Sequence, residues 1–134
     1  MLNLEAEKRY NVVTRAIIVD DENRVLLAKR TKENKWHLVG GKTEDTEVFY
    51  SQTIAREVRG EIGAEFNRSF YKTKINEATS WIAHYFVGKI DGKLTLNPDE
   101  ILEIAYVSKE YLDDFDFAFD HDIILHDFFE NGVN

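Results

Sequence analysis

The chain has 134 residues, of which 43% are hydrophobic and none is cysteine. This length and composition are typical of one globular domain, here residues 1–134, that buries a core without disulfides. A cysteine nucleophile and a cysteine-based metal site are excluded, and a formal net charge of -8 argues against binding to nucleic-acid polymers, which requires a basic face. A small phosphorylated ligand that arrives with metal ions is compatible with this charge.

Neither a membrane segment nor a secretion signal is indicated by the sequence. No apolar run reaches the length needed to span a membrane, and the first ten residues, MLNLEAEKRY, lack the apolar core of a signal peptide. We therefore expect no membrane partner. The absence of cysteine agrees with the reducing cytoplasm, where we expect the protein to be located.

The first third of the chain predicts strands. Residues 12–19 and 24–28 are rich in β-prone side chains, and the four residues between them, DDEN, predict a hairpin turn. Residues 36–39 predict a short strand that ends at Gly40 and Gly41.

The rest of the chain predicts two helices with strands between them. Residues 47–62 predict a helix, because Ile54, Val58 and Ile62 recur every four residues as one buried stripe. Strands are predicted at residues 81–87 and 101–107, and a C-terminal helix at residues 117–129, with Gly132 just beyond its end. This order predicts an α/β fold in which a mixed sheet is packed between helices.

The predicted central helix carries an acidic face beside its buried stripe. Glu57 and Glu61 are four residues apart and therefore share one face, on which position 60 also lies. That face is rotated by roughly 100° from the apolar stripe. Two interpretations are open at this point: a solvated acidic surface, or ligands for a hard cation such as Mg²⁺, which prefers carboxylate and carbonyl oxygens.

A glycine turn precedes this helix in a fixed order of residues, G-x5-E…R-E-V-x-x-E-x-G. The order comprises Gly41, Glu47, Arg56, Glu57, Val58, Glu61 and Gly63. It closely resembles the Nudix box, G-x5-E-x7-R-E-U-x-E-E-x-G-U, where U is a bulky aliphatic residue. The segments VLLAKR, WHLVGGKTE, EIAYVSKEYL and FAFDHDIIL resemble other parts of that family, so the resemblance covers nearly the whole chain. It implies a Nudix-like α/β/α sandwich with a central mixed sheet.

The motif departs from the family pattern at several positions. Eight residues rather than seven separate Glu47 from Arg56, which puts the usual contact between these two side chains in question. Gly60 replaces the first acid of the E-E pair, which removes a potential metal ligand and costs about 1 kcal/mol of helix propensity relative to alanine. Val39 stands where proline is common, and Ala64 is a small residue at the final aliphatic position.

The resemblance also implies a chemistry and a set of catalytic residues. Nudix enzymes cleave a diphosphate linkage in a nucleoside diphosphate derivative, by attack of water on phosphorus with Mg²⁺ or Mn²⁺ as cofactor. On this basis Glu57 and Glu61 are the expected metal ligands, supported by the Gly41 carbonyl, and Arg56 belongs to the catalytic group. Either glutamate could act as the base. Glu77 or Glu100 could supply the acid that Gly60 lacks, against the alternative that both are solvated loop residues.

Further candidates have an ordinary structural interpretation beside the functional one. Arg30 and Lys42 occupy positions where the family often places cations that contact phosphate, and each could equally be a surface charge. Tyr106 is a candidate for stacking on a nucleotide base, as are Trp36 and Trp81, although aromatic residues in strands more often belong to the core. The remaining polar candidates have structural roles: loop organisation for Glu44 and Glu47, and capping or packing for His121.

Two functions from different classes follow. The first is a compact MutT-like hydrolase of a small nucleotide, and the second is a catalytically degenerate Nudix-like domain that binds a nucleotide without cleaving it. The pair of Glu57 and Glu61 favours the hydrolase, whereas Gly60 favours the binder. The identity of the nucleotide is left open by the sequence, and so is the formation of a homodimer.

Overall fold

The structure is a computed structural model that describes residues 10–132. The remaining residues of the predicted domain, 1–9 and 133–134, lie outside the described residues. They include nearly all of the N-terminal segment MLNLEAEKRY. Within the described part, no helix is long and apolar enough to cross a membrane.

Two β-sheets lie between helices in the described part of the chain. The strands are β1 (Asn11–Ile18), β2 (Val25–Arg30), β3 (Trp36–His37), β4 (Val39–Lys42), β5 (Glu65–Asn76), β6 (Trp81–Asp91) and β7 (Ile101–Val107). The helices are α1 (Tyr50–Ile62), a 3-10 helix (Lys109–Asp114) and α2 (His121–Asp127), which continues as a π-helical turn (Phe128–Gly132). The four-stranded sheet has the order β4-β1-β6-β5, and the three-stranded sheet has the order β3-β2-β7.

The predicted α/β/α sandwich with a mixed sheet is confirmed. β1 pairs in parallel with β6 and antiparallel with β4. Alternate residues of β1 belong to different cores: Ala16 and Ile18 pack with helix α1, whereas Ile17 packs with helix α2. Because neighbouring side chains of a strand point to opposite faces, one central strand supplies both hydrophobic layers.

The predicted turn at DDEN is present, but the hairpin does not extend beyond it. The Asp20 carboxylate accepts hydrogen bonds from the backbone N–H groups of Glu22 and Arg24, and the Asp20 N–H donates to the Arg24 carbonyl. An antiparallel bridge pairs Val19 with Val25, and beyond it β1 and β2 enter different sheets. The choice of strand partner depends on distant segments, which the turn sequence does not specify.

The predicted strand at residues 36–39 is divided at Leu38. Its first part, β3, joins the three-stranded sheet, and its second part, β4, joins the four-stranded sheet. Gly40 and Gly41 therefore lie inside a strand rather than after one. Gly40 has a φ of 152°, and a Cβ at this position would lie 2.0 Å from the Thr14 carbonyl oxygen, so the close approach of β1 requires glycine.

Other elements also differ from the prediction. Helix α1 begins at Tyr50 rather than at residue 47, because the Gln52 side chain accepts the N–H groups of Val48 and Phe49 at 3.0 Å each. Strand β5 was not predicted, since its sequence EFNRSFYKTKIN is largely polar at a sheet edge. Helix α2 begins at His121 rather than at residue 117, and Gly132 belongs to the last turn rather than following it.

Candidate active site

Glu61 is a buried carboxylate on the face of α1 that packs against β4. The residue is 2% exposed. Its Oε2 atom accepts the Gly40 N–H at 3.1 Å, whereas its Oε1 atom is buried without a hydrogen-bond partner among the described residues. Burial, together with the nearby Glu57 carboxylate, raises the pKa of Glu61 to about 8, while Arg30 opposes the shift. A buried oxygen in this state is stabilised by a proton or a cation.

Glu57 lies one helical turn before Glu61 and touches the second glycine of β4. A Cβ atom at Gly41 would be 2.6 Å from the carboxylate carbon of Glu57, so a larger residue would force the Glu57 side chain to move from this position. The Glu57 Oε1 atom accepts a hydrogen bond from Arg56 Nη1 at 2.8 Å. The two glycines thus have separate roles: Gly40 donates to one carboxylate, and Gly41 makes space for the other.

These carboxylates and the adjacent backbone fit a hard divalent cation. The donor set comprises the Oε1 of Glu61, which has no hydrogen-bond partner among the described residues, the Glu57 carboxylate and the Gly41 carbonyl, which accepts a long 3.3 Å bond from Thr14 Oγ1. Oxygen donors of this kind suit Mg²⁺. Nevertheless, the described residues contain no group of three or more acidic or histidine side chains that could hold a metal ion, so the acid missing at Gly60 is not replaced by a third side chain.

The Arg56–Glu47 contact, which the extra residue had put in question, is formed. Arg56 Nε lies 3.0 Å from Glu47 Oε2, and Arg56 Nη2 lies 3.1 Å from Glu47 Oε1. The insertion is absorbed before the helix, where the Glu47 N–H donates to the Glu44 carbonyl and the Glu44 N–H donates back to Glu47 Oε1. The Arg56 hydrogen bonds lower the pKa of Glu47 to about 2. Glu44 and Glu47 therefore organise the loop, as the sequence predicted.

Arg56 connects this loop to the acid pair. Besides Glu47, its guanidinium donates to the Lys42 carbonyl at 3.0 Å and to Glu57 at 2.8 Å. The hydrogen bonds to Glu47 raise the pKa of Arg56 above its ordinary value, so it remains charged. One side chain thus fixes the end of β4, the loop and a candidate metal ligand in a common arrangement.

The predicted substrate-binding residues are distributed differently. Arg30, at the end of β2, is close enough to Glu61 to lower its pKa. Lys42, at the end of β4, has its Nζ atom 5.5 Å from the centre of the Trp81 ring. Tyr106 lies beside Arg24 and is paired with Leu26, four residues before Arg30 on β2, a separation of about 13 Å along the strand. The structure therefore brings Arg30 close to Glu61 and separates Tyr106 from Arg30 along β2.

The other candidates have structural surroundings. Trp36 is half-buried and packs edge-to-face on Phe115 at 5.3 Å. His121 is buried, and its Nδ1 atom accepts the Leu38 N–H at 3.0 Å, which is the packing role predicted for it. Glu77 and Glu100 are both exposed, and neither belongs to a three-residue metal-binding group within residues 10–132.

Arg15 is a site residue that the sequence analysis missed. It is 7% exposed on β1 and donates from Nη1 to the carbonyls of Leu38 and Gly40, at 3.4 and 3.3 Å. Burial lowers its pKa from the usual value, with the Arg30 charge acting in the same direction. The sequence feature that could have indicated it is a charged residue inside the β-prone segment NVVTRAII. The alternation of side chains along a strand does not by itself show which of the two faces is buried.

A model of the NUDIX domain family matches residues 9–128. The chain belongs to this family. A MutT NUDIX hydrolase from Burkholderia pseudomallei is 25% identical, with a TM-score of 0.72, and the match covers 87% of this chain and 95% of that chain. Family membership and this similarity support a hydrolase activity in general terms, and Nudix hydrolases generally use divalent metal cations.

Two further solved structures share the fold. The MutT protein of Methanosarcina mazei Go1 is 24% identical, with a TM-score of 0.78 over 93% of this chain and 96% of that chain. The NUDIX domain of Shewanella oneidensis NrtR, solved with ADP ribose, is 14% identical, with a TM-score of 0.78 over 98% of this chain and 94% of that chain. A search of curated proteins found no significant match.

The burial of Glu61 predicts how the metal-free Nudix domain responds to pH. Since the pKa of Glu61 is about 8 in the folded state, above the ordinary value of 4.5, folding favours the protonated form. Its contribution to stability is therefore present below pH 4.5 and is lost as the pH rises towards 8. Glu61→Gln should melt at least about 4 °C above the wild type at pH 8, with little difference at pH 4.5.

Thermal melts in EDTA at the two pH values provide this measurement. Glu65→Gln is the control, because Glu65 is an exposed acid paired with Arg59 at the surface. A Glu61→Gln advantage that is equal at both pH values would show that the charge of Glu61 is not the destabilising factor.

Gly60 allows a separate test of the acidic face. A Cβ atom at this position would meet nothing within 4 Å, so a larger side chain fits. Gly60→Ala should gain about 1 kcal/mol of helix stability. Gly60→Glu should gain less in EDTA, because it adds a third negative charge, and should show the larger increase in Tm on addition of Mg²⁺.

Titration of Mg²⁺ against Tm in both variants measures the effect. Gly60→Ala is the matched control, since it changes helix propensity without adding an oxygen ligand. If both variants respond equally to Mg²⁺, position 60 does not face the cation.

Proposed function

We propose that this Nudix protein hydrolyses a diphosphate linkage in a nucleoside diphosphate derivative, with Mg²⁺ or Mn²⁺ as cofactor. The observation that carries the proposal is the Oε1 atom of Glu61, which is buried without a hydrogen-bond partner among the described residues. It lies beside the Glu57 carboxylate, and both side chains lie next to Gly40 and Gly41 of β4. A solvated acidic surface would not bury a carboxylate at 2% exposure, because the desolvation is unfavourable unless a cation or proton compensates it.

The proposed roles follow from these positions. Glu57, Glu61 and the Gly41 carbonyl would hold the cation, which when bound neutralises phosphate charge, orients the phosphates and lowers the pKa of the attacking water. Arg56 keeps Glu57 in place through the 2.8 Å hydrogen bond. Arg30 and Lys42 supply positive charge to attract the phosphates of the substrate, and they oppose the net charge of -8.

The carboxylate pair also offers a proton acceptor. A general base works best when its pKa lies near the working pH, and burial places the pKa of Glu61 at about 8 in the metal-free protein. We assign proton transfer from the attacking water to one of these two carboxylates, and the single-residue variants described in the Discussion separate their contributions.

The ligand class is supported by one of the structural relatives. The Shewanella oneidensis NUDIX domain was solved with ADP ribose, which is a nucleoside diphosphate joined to a second group. We propose a small nucleotide derivative of this general class as the substrate, bound by a single domain without a nucleic-acid polymer or a membrane.

The second candidate function is a domain that binds a nucleotide without cleaving it. It is favoured by the absence of a third metal-binding side chain within residues 10–132 and by the exposed Gly60 at the position where the family has an acid. The intact contacts from Arg56 to Glu47 and Glu57 favour the hydrolase, since a binder has no need to hold the acids so firmly.

The test is an activity screen with Mg²⁺ and with Mn²⁺ over nucleoside triphosphates, ADP-ribose, dinucleoside polyphosphates and nucleotide sugars. Release of phosphate, pyrophosphate or nucleotide is measured, together with equilibrium binding of each compound. Metal-dependent release from at least one substrate supports the hydrolase. Tight binding without release under either metal supports the binding domain.

A further inference from the structure

Arg15 spans the point at which the chain passes from one sheet to the other. Strand β3 ends in the three-stranded sheet and β4 begins in the four-stranded sheet, with Leu38 between them. The Arg15 Nη1 atom donates to the Leu38 carbonyl at 3.4 Å and to the Gly40 carbonyl at 3.3 Å. Both bonds are long, but the charge of the donor strengthens them. One guanidinium nitrogen therefore connects the backbone on the two sides of Val39.

Gly40 connects Arg15 to the buried carboxylate of Glu61. Its carbonyl accepts a hydrogen bond from Arg15, and its N–H donates to Glu61 Oε2 at 3.1 Å. Gly40 has a φ of 152°, and the conformational freedom of glycine leaves the direction of this N–H to its surroundings. Because Arg15 holds the carbonyls of Leu38 and Gly40, it fixes the two peptide groups that flank the Gly40 N–H.

Arg15 and Glu61 approach Gly40 from opposite sides of the four-stranded sheet. Arg15 lies on the same face of β1 as Ile17, which packs with helix α2, whereas Glu61 belongs to helix α1, which packs on the other face. Arg15 is only 7% exposed, and its Nη1 atom already donates to two carbonyls. Arg15 therefore acts on the candidate site through Gly40 and not by touching a substrate.

The charges of Arg15 and Glu61 also attract one another. Burial and the Arg30 charge lower the pKa of Arg15, while the carboxylates of Glu61 and Glu57 oppose this shift. Burial and Glu57 raise the pKa of Glu61, and Arg15 is among the groups that oppose that shift. Each of the two buried groups thus stabilises the charged form of the other across Gly40.

We propose that Arg15 is a positioning residue of the candidate metal site. By fixing the Gly40 backbone it holds Glu61 at Oε2, and Oε1, which has no hydrogen-bond partner among the described residues, is left to the cation. A ligand that is oriented by a second group binds metal more tightly, and loss of such a group typically lowers metal affinity by roughly 10- to 100-fold. This inference rests on the proposed function for the identity of the cation site.

The alternative role of Arg15 is to stabilise the fold alone. In that case its loss would lower the melting temperature without changing the metal affinity of the folded protein. A positioning role instead makes the metal affinity depend on Arg15, and this dependence requires the Glu61 carboxylate.

The experiment measures the binding of Mn²⁺ alone by electron paramagnetic resonance, below the melting temperature of each variant. Arg15→Met keeps an apolar stem and removes the charge and the donors, and it should weaken Mn²⁺ binding by about 10-fold or more. In the Glu61→Gln background the same change should weaken binding by less than about 3-fold, because the carboxylate that Arg15 positions is already absent.

The control is Leu112→Ala, which removes a fully buried side chain from the core on the α2 side. The resulting cavity should lower the melting temperature and leave the Mn²⁺ affinity of the folded protein unchanged. Arg15→Lys is the second variant if Arg15→Met does not fold. An ammonium group cannot reproduce the arrangement of the guanidinium donors, so we again expect a loss of Mn²⁺ affinity that depends on Glu61.

An Arg15→Met variant with the Mn²⁺ affinity of the wild type overturns the proposal, and so does a loss that is equal with and without the Glu61 carboxylate. The outcome is separable from that of the proposed function. Mn²⁺ binding that depends on Arg15, in a protein that hydrolyses no nucleotide, would uphold the positioning role and refute the hydrolase. Metal-dependent hydrolysis together with an Mn²⁺ affinity that Arg15→Met leaves unchanged would uphold the hydrolase and refute the positioning role.

Discussion

Glu57→Gln and Glu61→Gln should each lower turnover of the best substrate by at least about two orders of magnitude. Each change keeps the shape of the side chain and removes one negative charge from the acid pair. Glu61 is almost fully buried, and Glu57 lies against Gly41. Both variants should fold, and Glu61→Gln should be the more stable of the two in EDTA at pH 8.

The measurement is kcat with Mg²⁺ and with Mn²⁺, accompanied by a melting curve for each variant. Glu65→Gln serves as the control, because Glu65 is an exposed acid that pairs with Arg59 after the end of α1. Near-normal turnover of either site variant would remove that residue from the proposed metal site. A fall that is matched by loss of folding would instead assign the residue a structural role.

Arg56→Met should destabilise the protein by about 2–3 kcal/mol, because Arg56 makes hydrogen bonds to two carboxylates and one carbonyl. Solvent screening limits the effect, since the Arg56 side chain is 36% exposed. Turnover should also fall, because Glu57 loses the group that positions it. Arg59→Met is the matched control on the same helix: its pair with Glu65 is 57% exposed on the arginine side and should contribute little to stability.

The Arg56→Met penalty should depend on pH with a defined sign. The Arg56 hydrogen bonds hold the pKa of Glu47 at about 2, below its ordinary value of 4.5. The stability from this pair is therefore complete above pH 4.5 and is lost as the pH falls towards 2. Urea denaturation of the wild type, Arg56→Met and Arg59→Met at pH 7 and at pH 3 measures the change in the penalty. An Arg56→Met penalty that is the same at both pH values would mean that the Glu47 contact contributes little to stability.

Several features of the site were predictable because they depend on residues close together in the chain. The stripe of Ile54, Val58 and Ile62 is buried as expected, and the four-residue spacing of Glu57 and Glu61 places both on one helical face. The order of glycines, arginine and acids also sufficed to indicate the family. Helical periodicity relates residues one turn apart, so the sequence itself contains this information.

The Arg56–Glu47 contact was not predictable from spacing. The motif has one residue more than the family pattern, and spacing alone argued against the usual pairing. In the folded protein, hydrogen bonds between Glu44 and Glu47 form a turn before α1. This turn places the Glu47 carboxylate within hydrogen-bond distance of Arg56. The backbone conformation of a loop depends on such local hydrogen bonds and on the positions of the two elements that the loop connects. The number of residues in the loop specifies neither.

The sequence by itself determined the family, the α/β/α fold class and the acidic face of α1. Only the tertiary structure decided that Arg15 is buried beside Gly40, that Tyr106 lies at the other end of β2, and that the first two strands enter different sheets. The physical reason is the range of the interactions: a helix face is defined by neighbours in the chain, whereas strand partners and burial are defined by segments far apart in the sequence.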